Sequence, residues 1–269
     1  MLAIAIAIGT LIAGKGFLPL EKLFYACLTA IFLEAATFSL NDYFDLEIDK
    51  ENKRMDRPLV RGDLKPEHAL ILFYLMFPIG LLFAFFVNNV CFIIALITGV
   101  LAIIYDMKMK KVKLIGNFYI AYTMAIPFIF GGTVISTSIP SIVYIIAAIA
   151  FLSGSGREMM KDVMDYRGDM KKGVKSLPVY IGVKNSILVT NIFYLFAIIV
   201  SMLPFILPID KSFYFDYLYL SVVLIADLLF AYVVTDLFVK KEQNIKLHRK
   251  ITLLAMFIGL VAFLIGAFL

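Results

Sequence analysis

The chain has 269 residues, of which 62% are hydrophobic, with a net charge of +5 and a mean hydropathy of +0.94. A soluble domain averages about 45–50% apolar residues, so this chain carries more apolar surface than a soluble core of its size could bury. Composition therefore excludes a soluble or disordered chain. It predicts an all-α, polytopic membrane helical bundle, because lipid offers backbone polar groups no partner outside the helix.

Nine apolar spans follow one another along the sequence. A helix needs about 20 residues to cross the hydrocarbon core, and most spans approach that length. The first is shorter, and we interpret it as the first transmembrane helix. The spans are residues 1–14, 20–41, 67–87, 89–105, 114–132, 138–156, 185–207, 214–238 and 251–269. No composition shift marks a boundary, so residues 1–269 are predicted to form a single transmembrane domain with no nucleic-acid partner.

The basic residues fall mostly on one side of this arrangement. With nine spans, 22 of the 25 Lys and Arg residues lie in segments 42–66, 106–113, 157–184 and 239–250, all on the same side. The positive-inside rule makes that side cytoplasmic, with the N terminus inside and the C terminus outside the cell membrane. Segment 157–184 is the longest polar segment, and we expect it to form a short helical cap over the cytoplasmic mouth of a central cavity.

Two acidic clusters with the same spacing follow the second and sixth spans. Each has aspartates at i, i+3 and i+7, which fall within about 60° of one another on a helix. Carboxylates this close repel unless a cation separates them, and Mg²⁺ binds a few carboxylates together with water and phosphate. Asn41 adds a neutral oxygen. The predicted metal ligands are Asn41, Asp42, Asp45, Asp49, Asp162, Asp165 and Asp169, of which Asp42, Asp45, Asp162 and Asp165 are also predicted to be catalytic.

Basic residues bracket both clusters and could converge on the same cytoplasmic mouth. Arg and Lys complement the outer oxygens of a diphosphate, although topology alone also places basic residues on this side. Arg57, which Pro58 fixes, and Lys161, next to Asp162, are the strongest candidates. The predicted diphosphate-binding residues are Lys53, Arg57, Lys108, Lys110, Arg157 and Lys161.

A few polar residues lie within or next to the apolar spans. Glu34 lies about 12 Å deeper than Asp42 and near the same helix face. A carboxylate in the membrane is costly, so Glu34 is a candidate for binding an acceptor or taking its proton; a protonated, structural Glu is an equal alternative. Asp227 has a weaker claim of the same kind. Tyr105 and Tyr166 could shield a developing carbocation with their ring faces.

The cysteines and histidines give no sign of a further site. Cys27 and Cys91 lie in apolar runs and are expected to be core residues without a disulfide or metal role. His68 and His248 lie beside charged segments, without companions that could complete a metal site. We expect both histidines at the membrane interface.

Taken together, these residues suit transfer of a prenyl group from an isoprenoid diphosphate. Two Mg²⁺ ions would neutralise the leaving diphosphate, and a dry apolar tunnel would protect the allylic cation from water. The acceptor is a lipid phosphate or an aromatic ring. A cation transporter is a distant alternative, since a transport path would spread carboxylates through the membrane depth, whereas both clusters lie at one face.

The two acidic motifs, NDxxDxxxD and DxxDxxxD, resemble those of the UbiA superfamily of intramembrane prenyltransferases. The resemblance spans nearly the whole chain and implies that the seven predicted ligands hold two Mg²⁺ against the donor diphosphate. Gly116-Asn117 and the runs from Gly156 to Lys161 and from Gly173 to Pro178 look most like the archaeal digeranylgeranylglyceryl phosphate synthases. That branch implies transfer of a geranylgeranyl group from geranylgeranyl diphosphate to geranylgeranylglyceryl phosphate, which forms the second ether bond of archaeal lipids. We include Asn117 with Glu34, Tyr105 and Tyr166 in the predicted acceptor or cation pocket. Quinone-pathway and chlorophyll-type prenyltransferases share much of the pattern, so an aromatic acceptor stays an alternative.

Overall fold

The computed structural model describes residues 2–240 and 244–268, and nearly all of that length is helical. The predicted span ends at Met1 and Leu269, and residues 241–243 of segment 239–250, lie outside the described residues. The helices are α1 (Leu2–Ala13), α2 (Leu20–Glu51), α3 (Pro58–Arg61), α4 (Pro66–Val87), α5 (Asn89–Met107), α6 (Lys113–Gly132), α7 (Ser141–Lys172), α8 (Leu177–Ile206), α9 (Tyr217–Lys240) and α10 (Ile245–Phe268).

Length and composition make this a multi-pass membrane protein. Within the described residues, eight helices are long and apolar enough to cross a bilayer, and α1 is a shorter apolar helix of 12 residues. Large apolar side chains such as Phe24, Tyr74 and Leu228 are 60%, 69% and 68% exposed. Such exposure is costly in water and suits a surface in contact with lipid. The predicted all-α membrane bundle is confirmed.

The chain divides into two compact units, and each is described by itself. The unit of residues 19–110 contains α2 to α5. In it, α2 packs along α4, and both contact α5. A Cβ at Gly80 would lie 2.8 Å from the Leu33 side chain, and one at Gly99 would lie 2.5 Å from the Phe77 ring. Glycine at these two positions therefore allows close approach of neighbouring helices, as is common between membrane helices.

The other unit joins the chain up to Leu18 with the residues from Lys111 onward, and it contains α1 and α6 to α10. Helix α7 packs against α6, α8 and α10. The backbones of α1 and α6 approach each other closely: a Cβ at Gly131 would lie 2.2 Å from the Ile6 carbonyl oxygen. The Thr10 hydroxyl, 3.0 Å from the Gly131 carbonyl oxygen, donates a hydrogen bond across this contact. Small residues and a buried hydroxyl thus attach the short first helix firmly to its unit.

Two helices continue well beyond the predicted ends of their spans. Helix α2 runs through Glu51 and α7 through Lys172, so both aspartate clusters lie on helices that begin as apolar spans. Segment 157–184, predicted to form a short helical cap, consists mostly of the end of α7 and the start of α8. Helix α8 is interrupted at Gly182, whose backbone has φ +80°, which leaves a short helical piece before the long part of α8.

The two predicted interfacial histidines lie in different surroundings, and their depth in the membrane stays a prediction. His248 is fully buried between α9 and α10, with Nε2 2.9 Å from the Asp236 carboxylate. Asp236 also accepts a hydrogen bond from Asn244 at 3.2 Å. A buried ring needs such a partner, which sequence position alone did not reveal. His68 accepts a hydrogen bond from the Lys65 backbone amide and closes the first turn of α4.

Candidate active site

The first aspartate cluster lies on the C-terminal part of α2. Its helical spacing places the three carboxylates on one side, and Asn41 Nδ2 donates to Asp45 at 3.3 Å. Asp42 and Asp45 are half-buried, whereas Asp49 is buried. The predicted side-by-side arrangement is therefore present within α2.

Arg57 reaches back to this cluster from the segment after α2. Its guanidinium forms an ion pair with Asp42, and its Nε lies 3.9 Å from Asp49. The neighbouring Arg54 lies 4.0 Å from Asp49 and donates a hydrogen bond to exposed Asp56. That hydrogen bond is the main cause that lowers the pKa of Asp56 to about 2. Pro58 begins the short helix α3 directly after Arg57, which is where the sequence expected a rigid position.

Lys110 brings a second positive charge to the first cluster. Its ammonium lies 2.9 Å from Asp45 and 2.8 Å from Asp106, whose side chain is only 4% exposed. The same ammonium lies 5.6 Å from the centroid of the Tyr105 ring, within the range of a cation–π contact. Lys110 and Tyr105, which the sequence assigned to different roles, therefore contact each other next to Asp45.

The second cluster lies on α7 in the other unit and is more deeply buried. Asp162 and Asp169 are 3% and 7% exposed, whereas Asp165 is exposed. Asn117, near the start of α6, donates from Nδ2 to Asp162 at 2.7 Å. Asn117 was predicted for an acceptor or cation pocket, and the structure brings it to the second carboxylate cluster, where an amide supports a buried carboxylate.

Lys113, the first residue of α6, lies between two of the second cluster's carboxylates. Its ammonium lies 2.9 and 2.7 Å from the two Asp169 carboxylate oxygens and 3.5 Å from Asp162. The preceding residue, Val112, forms an isolated parallel bridge with Lys175 after α7. This bridge ties the start of α6 to the end of α7, and thereby fixes Lys113 beside the cluster.

Arg157 and Lys161 lie on α7 just before the second cluster and share one buried carboxylate. Lys161 donates to Glu158 at 2.5 Å, and Arg157 lies 3.5 Å from the same carboxylate. The Glu158 side chain is 7% exposed. Two cations and one carboxylate leave this group with a net positive charge, which is suited to an anionic ligand.

The other predicted residues are placed without such contacts. Lys53 and Lys108 are exposed, and neither forms an ion pair with the described side chains. Glu34 is half-buried on α2 and makes no side-chain hydrogen bond within the described ranges, while Tyr166 is half-buried on α7. Asp227 has a local structural partner, since it accepts from Ser201 at 2.8 Å.

Sequence reasoning missed three residues that contact the predicted site. Lys113 counted only among the basic residues of segment 106–113, and neither Asp106 nor Glu158 was predicted as a site residue. Lys110 follows Asp106 by four residues, a spacing that pairs side chains on a helix, so that contact had a signal in the sequence. The contact of Lys113 with Asp169 joins residues 56 positions apart and had none.

The donor atoms of both clusters suit Mg²⁺. Each cluster supplies three carboxylates, and an amide side chain donates a hydrogen bond to one of them. Oxygen ligands of this kind are those that Mg²⁺ prefers. Across residues 2–240 and 244–268, no three His, Cys, Asp or Glu side chains form a complete metal site. Cations of the chain itself, Arg57, Lys110 and Lys113, lie among the carboxylates instead. The clusters are thus places that attract positive charge.

Long apolar helices with oxygen-rich clusters at the ends of two of them define an intramembrane helical enzyme. A family model described as "UbiA prenyltransferase family" matches residues 2–261. The chain belongs to this family and is a prenyltransferase.

The chain is also similar to individual proteins over nearly its full length. The chain is 43% identical to a digeranylgeranylglyceryl phosphate synthase of Archaeoglobus fulgidus, over 100% of this chain and 91% of that protein. The synthase of the same name from Pyrococcus horikoshii is 34% identical, over 97% and 90%.

Solved structures share the fold. A structure of a digeranylgeranylglyceryl phosphate synthase has a TM-score of 0.85 at 34% identity and covers 99% of this chain and 93% of that one. A UbiA homologue from Archaeoglobus fulgidus bound to DMAPP and Mg²⁺ has a TM-score of 0.67 at 18% identity, over 98% of this chain and 96% of that one. The second likeness, at such low identity, concerns the fold alone.

Proposed function

We propose that this protein transfers a geranylgeranyl group from geranylgeranyl diphosphate to the free hydroxyl of geranylgeranylglyceryl phosphate. The hydroxyl oxygen forms a bond to the allylic carbon, and the bond from that carbon to the diphosphate breaks with its electron pair leaving on the diphosphate. The hydroxyl proton passes to the released diphosphate or to Glu34. The product carries the second ether bond of an archaeal lipid. The observation that carries the proposal is full-length identity of 43% to a synthase of this name, together with the two aspartate clusters.

In this proposal the two clusters together hold two Mg²⁺ ions. The ligands in the first cluster are Asn41, Asp42, Asp45 and Asp49, and those in the second are Asp162, Asp165 and Asp169. Bound Mg²⁺ supplies positive charge that stabilises the diphosphate as a leaving group. The carboxylates orient that charge, and the long helices that carry them keep them in place. Support comes from the oxygen-only donor sets and from the UbiA homologue bound to DMAPP and Mg²⁺.

The basic residues complete the donor site in this proposal. Arg57 and Lys110 already lie against carboxylates of the first cluster, within reach of a ligand bound there. We assign diphosphate binding to Lys53, Arg57, Lys108, Lys110, Arg157 and Lys161. Glu34, Tyr105, Asn117 and Tyr166 are assigned to the pocket for the acceptor and the developing cation. The site faces the cytoplasm in a cell membrane, as the distribution of basic residues predicts.

A turnover assay in detergent with labelled geranylgeranyl diphosphate and Mg²⁺ tests the proposal. Geranylgeranylglyceryl phosphate and 4-hydroxybenzoate are offered together as competing acceptors. We expect label in the diether lipid and its loss when EDTA removes Mg²⁺. Label on the aromatic ring would retain prenyl transfer but overturn the acceptor. Diether formation that persists in EDTA would overturn the role of the metal.

A further inference from the structure

The two aspartate clusters share an arrangement that the family motifs do not describe. In each, the first and third aspartates contact one cation that comes from outside the helix carrying the cluster. Arg57 pairs with Asp42 and lies 3.9 Å from Asp49. Lys113 lies 3.5 Å from Asp162 and 2.7 Å from Asp169. Lys113 therefore has the same relation to the second cluster that Arg57 has to the first.

The middle aspartate distinguishes the clusters. Asp45 has its own cation, Lys110, at 2.9 Å. Asp165 is exposed and forms no ion pair with any described side chain. In the second cluster one lysine therefore balances part of the formal charge of three carboxylates, which leaves a formal charge of about −2. A single divalent cation would balance that remainder.

Lys113 is held in place by more than its ion pairs. Its neighbour Val112 is bridged to Lys175, and Lys113 begins α6, whose Asn117 donates to Asp162 one turn further on. The side chains of Asp162 and Asp169 are 5% and 10% exposed, so water screens these pairs poorly. The ammonium is thus a fixed feature of the cluster.

We infer that Lys113 sets the metal affinity of the second cluster by occupying carboxylate oxygens of Asp162 and Asp169 that a divalent cation would otherwise bind. The inference rests on the proposed metal role of this cluster. Lys113 has to release at least one carboxylate before that carboxylate can bind an ion. Removing its charge should therefore strengthen metal binding, whereas removing a metal ligand would weaken it.

The experiment is a titration of the purified, detergent-solubilised protein with Mn²⁺ as the probe, followed by the loss of free-Mn²⁺ EPR signal. We expect Lys113→Gln to lower the dissociation constant of the second cluster about three- to tenfold, the effect of removing one competing ion pair of about 1 kcal/mol. Lys184→Gln is the matched control, because Lys184 is exposed in the same unit and the substitution makes the same change in net charge. It should leave the constant unchanged.

Two further variants tie the effect to the cluster. Asp165→Ala should weaken Mn²⁺ binding, and Lys113→Gln should recover part of that affinity in the double variant, because it frees Asp162 and Asp169. Lys113→Arg keeps the charge and should bind Mn²⁺ no more tightly than the wild type. This variant keeps the inference falsifiable should Lys113→Gln fail to fold, since tighter binding in Lys113→Arg would contradict competition by charge.

The outcomes separate this inference from the proposed function. Saturable Mn²⁺ binding that Lys113→Gln leaves unchanged or weakens would overturn the inference and leave the metal role intact. Wild-type protein without saturable binding would overturn the metal role, and the inference with it. A thermal-unfolding series gives an independent readout. Added Mg²⁺ should raise the unfolding midpoint of Lys113→Gln more than that of the wild type, because Asp162 and Asp169 have lost their cation.

Discussion

At the scale of single residues, the second cluster combines aspartates in very different surroundings. Asp162 is buried and accepts from Asn117, whereas Asp165 is exposed and unpaired among the described side chains. A buried carboxylate with partners contributes to both folding and function, but an exposed one contributes little to folding. Stability and activity should therefore respond differently to the two substitutions.

Asp165→Ala should abolish turnover, by at least about 100-fold, if it removes a ligand of the charge that stabilises the leaving group. Its unfolding midpoint should stay close to that of the wild type. Asp162→Ala should lose turnover and also about 1–3 kcal/mol of stability, because Asn117 and Lys113 lose a buried partner. Steady-state kinetics and thermal unfolding in detergent test both. Near-normal turnover of Asp165→Ala would contradict the metal assignment.

Arg57 offers a matching prediction in the first cluster. Arg57→Ala should raise the KM for geranylgeranyl diphosphate and lower kcat, together by about 10- to 100-fold, because it loses a charge-assisted contact and the positioning of Asp42. Arg57→Lys should restore only part of the loss, because a single ammonium does not reproduce the guanidinium fork. Lys50→Gln is the control: Lys50 pairs with Glu47, which is 82% exposed. Wild-type kinetics in Arg57→Ala would remove Arg57 from the donor site.

The site residues that the sequence predicted have a local spacing pattern, whereas those that it missed depend on contacts between helices. Aspartates repeating at i, i+3 and i+7 are visible because helix geometry converts their spacing into one face. The partners of Asp162, Lys113 and Asn117, come from another helix, so their contacts depend on packing that no local pattern encodes. His248 is similar, because its burial against Asp236 depends on how α9 and α10 pack. The roles of the predicted residues stay predictions until kinetics test them.

At the scale of elements, hydropathy located the helices but not their ends. Apolar composition indicates where a helix meets lipid, whereas hydrogen bonding lets it continue into polar surroundings until a residue ends it. Helix α7 passes the predicted boundary at residue 156 and ends before Gly173, whose φ of +66° suits a glycine C-cap. Both clusters are therefore built on rigid helix, which fixes the spacing of their carboxylates.

The contact between α1 and α6 gives a prediction about packing. Gly131→Ala places a methyl group 2.2 Å from the Ile6 carbonyl oxygen, so the helices must separate, at a cost of about 1–3 kcal/mol. Gly259→Ala is the control, because a Cβ there meets nothing within 4 Å inside α10. Gly259→Ala should be neutral or slightly stabilising. Unfolding midpoints in the same detergent compare the two, and equal midpoints would mean that this contact does not contribute to stability.

At the scale of the whole molecule, composition predicted the class of fold, because it is a sum over many residues. The identity of the acceptor cannot be predicted in this way, because the shape of a pocket and a few polar contacts select it. Full-length similarity to digeranylgeranylglyceryl phosphate synthases supports the proposed acceptor better than any motif in this chain does. The orientation in the membrane again depends on the summed charge, which makes it testable without knowledge of the acceptor.

Two exposed lysines at opposite ends of α8 test that orientation. Lys184 lies in the basic segment predicted to face the cytoplasm, and Lys211 lies beyond α8, where the predicted outer side has few basic residues. The native thiols, Cys27 and Cys91, are first replaced by Ala, and turnover is checked. A membrane-impermeant maleimide is added to intact cells. We expect it to label Lys211→Cys in intact cells and Lys184→Cys only after lysis. The two positions lie on opposite sides because the part of α8 after Gly182, about 24 residues, is about 36 Å long and spans the bilayer. The reverse pattern would place the second aspartate cluster, which lies on α7 shortly before Lys184, outside the cell. That result would overturn the proposed cytoplasmic site while leaving the fold unaffected.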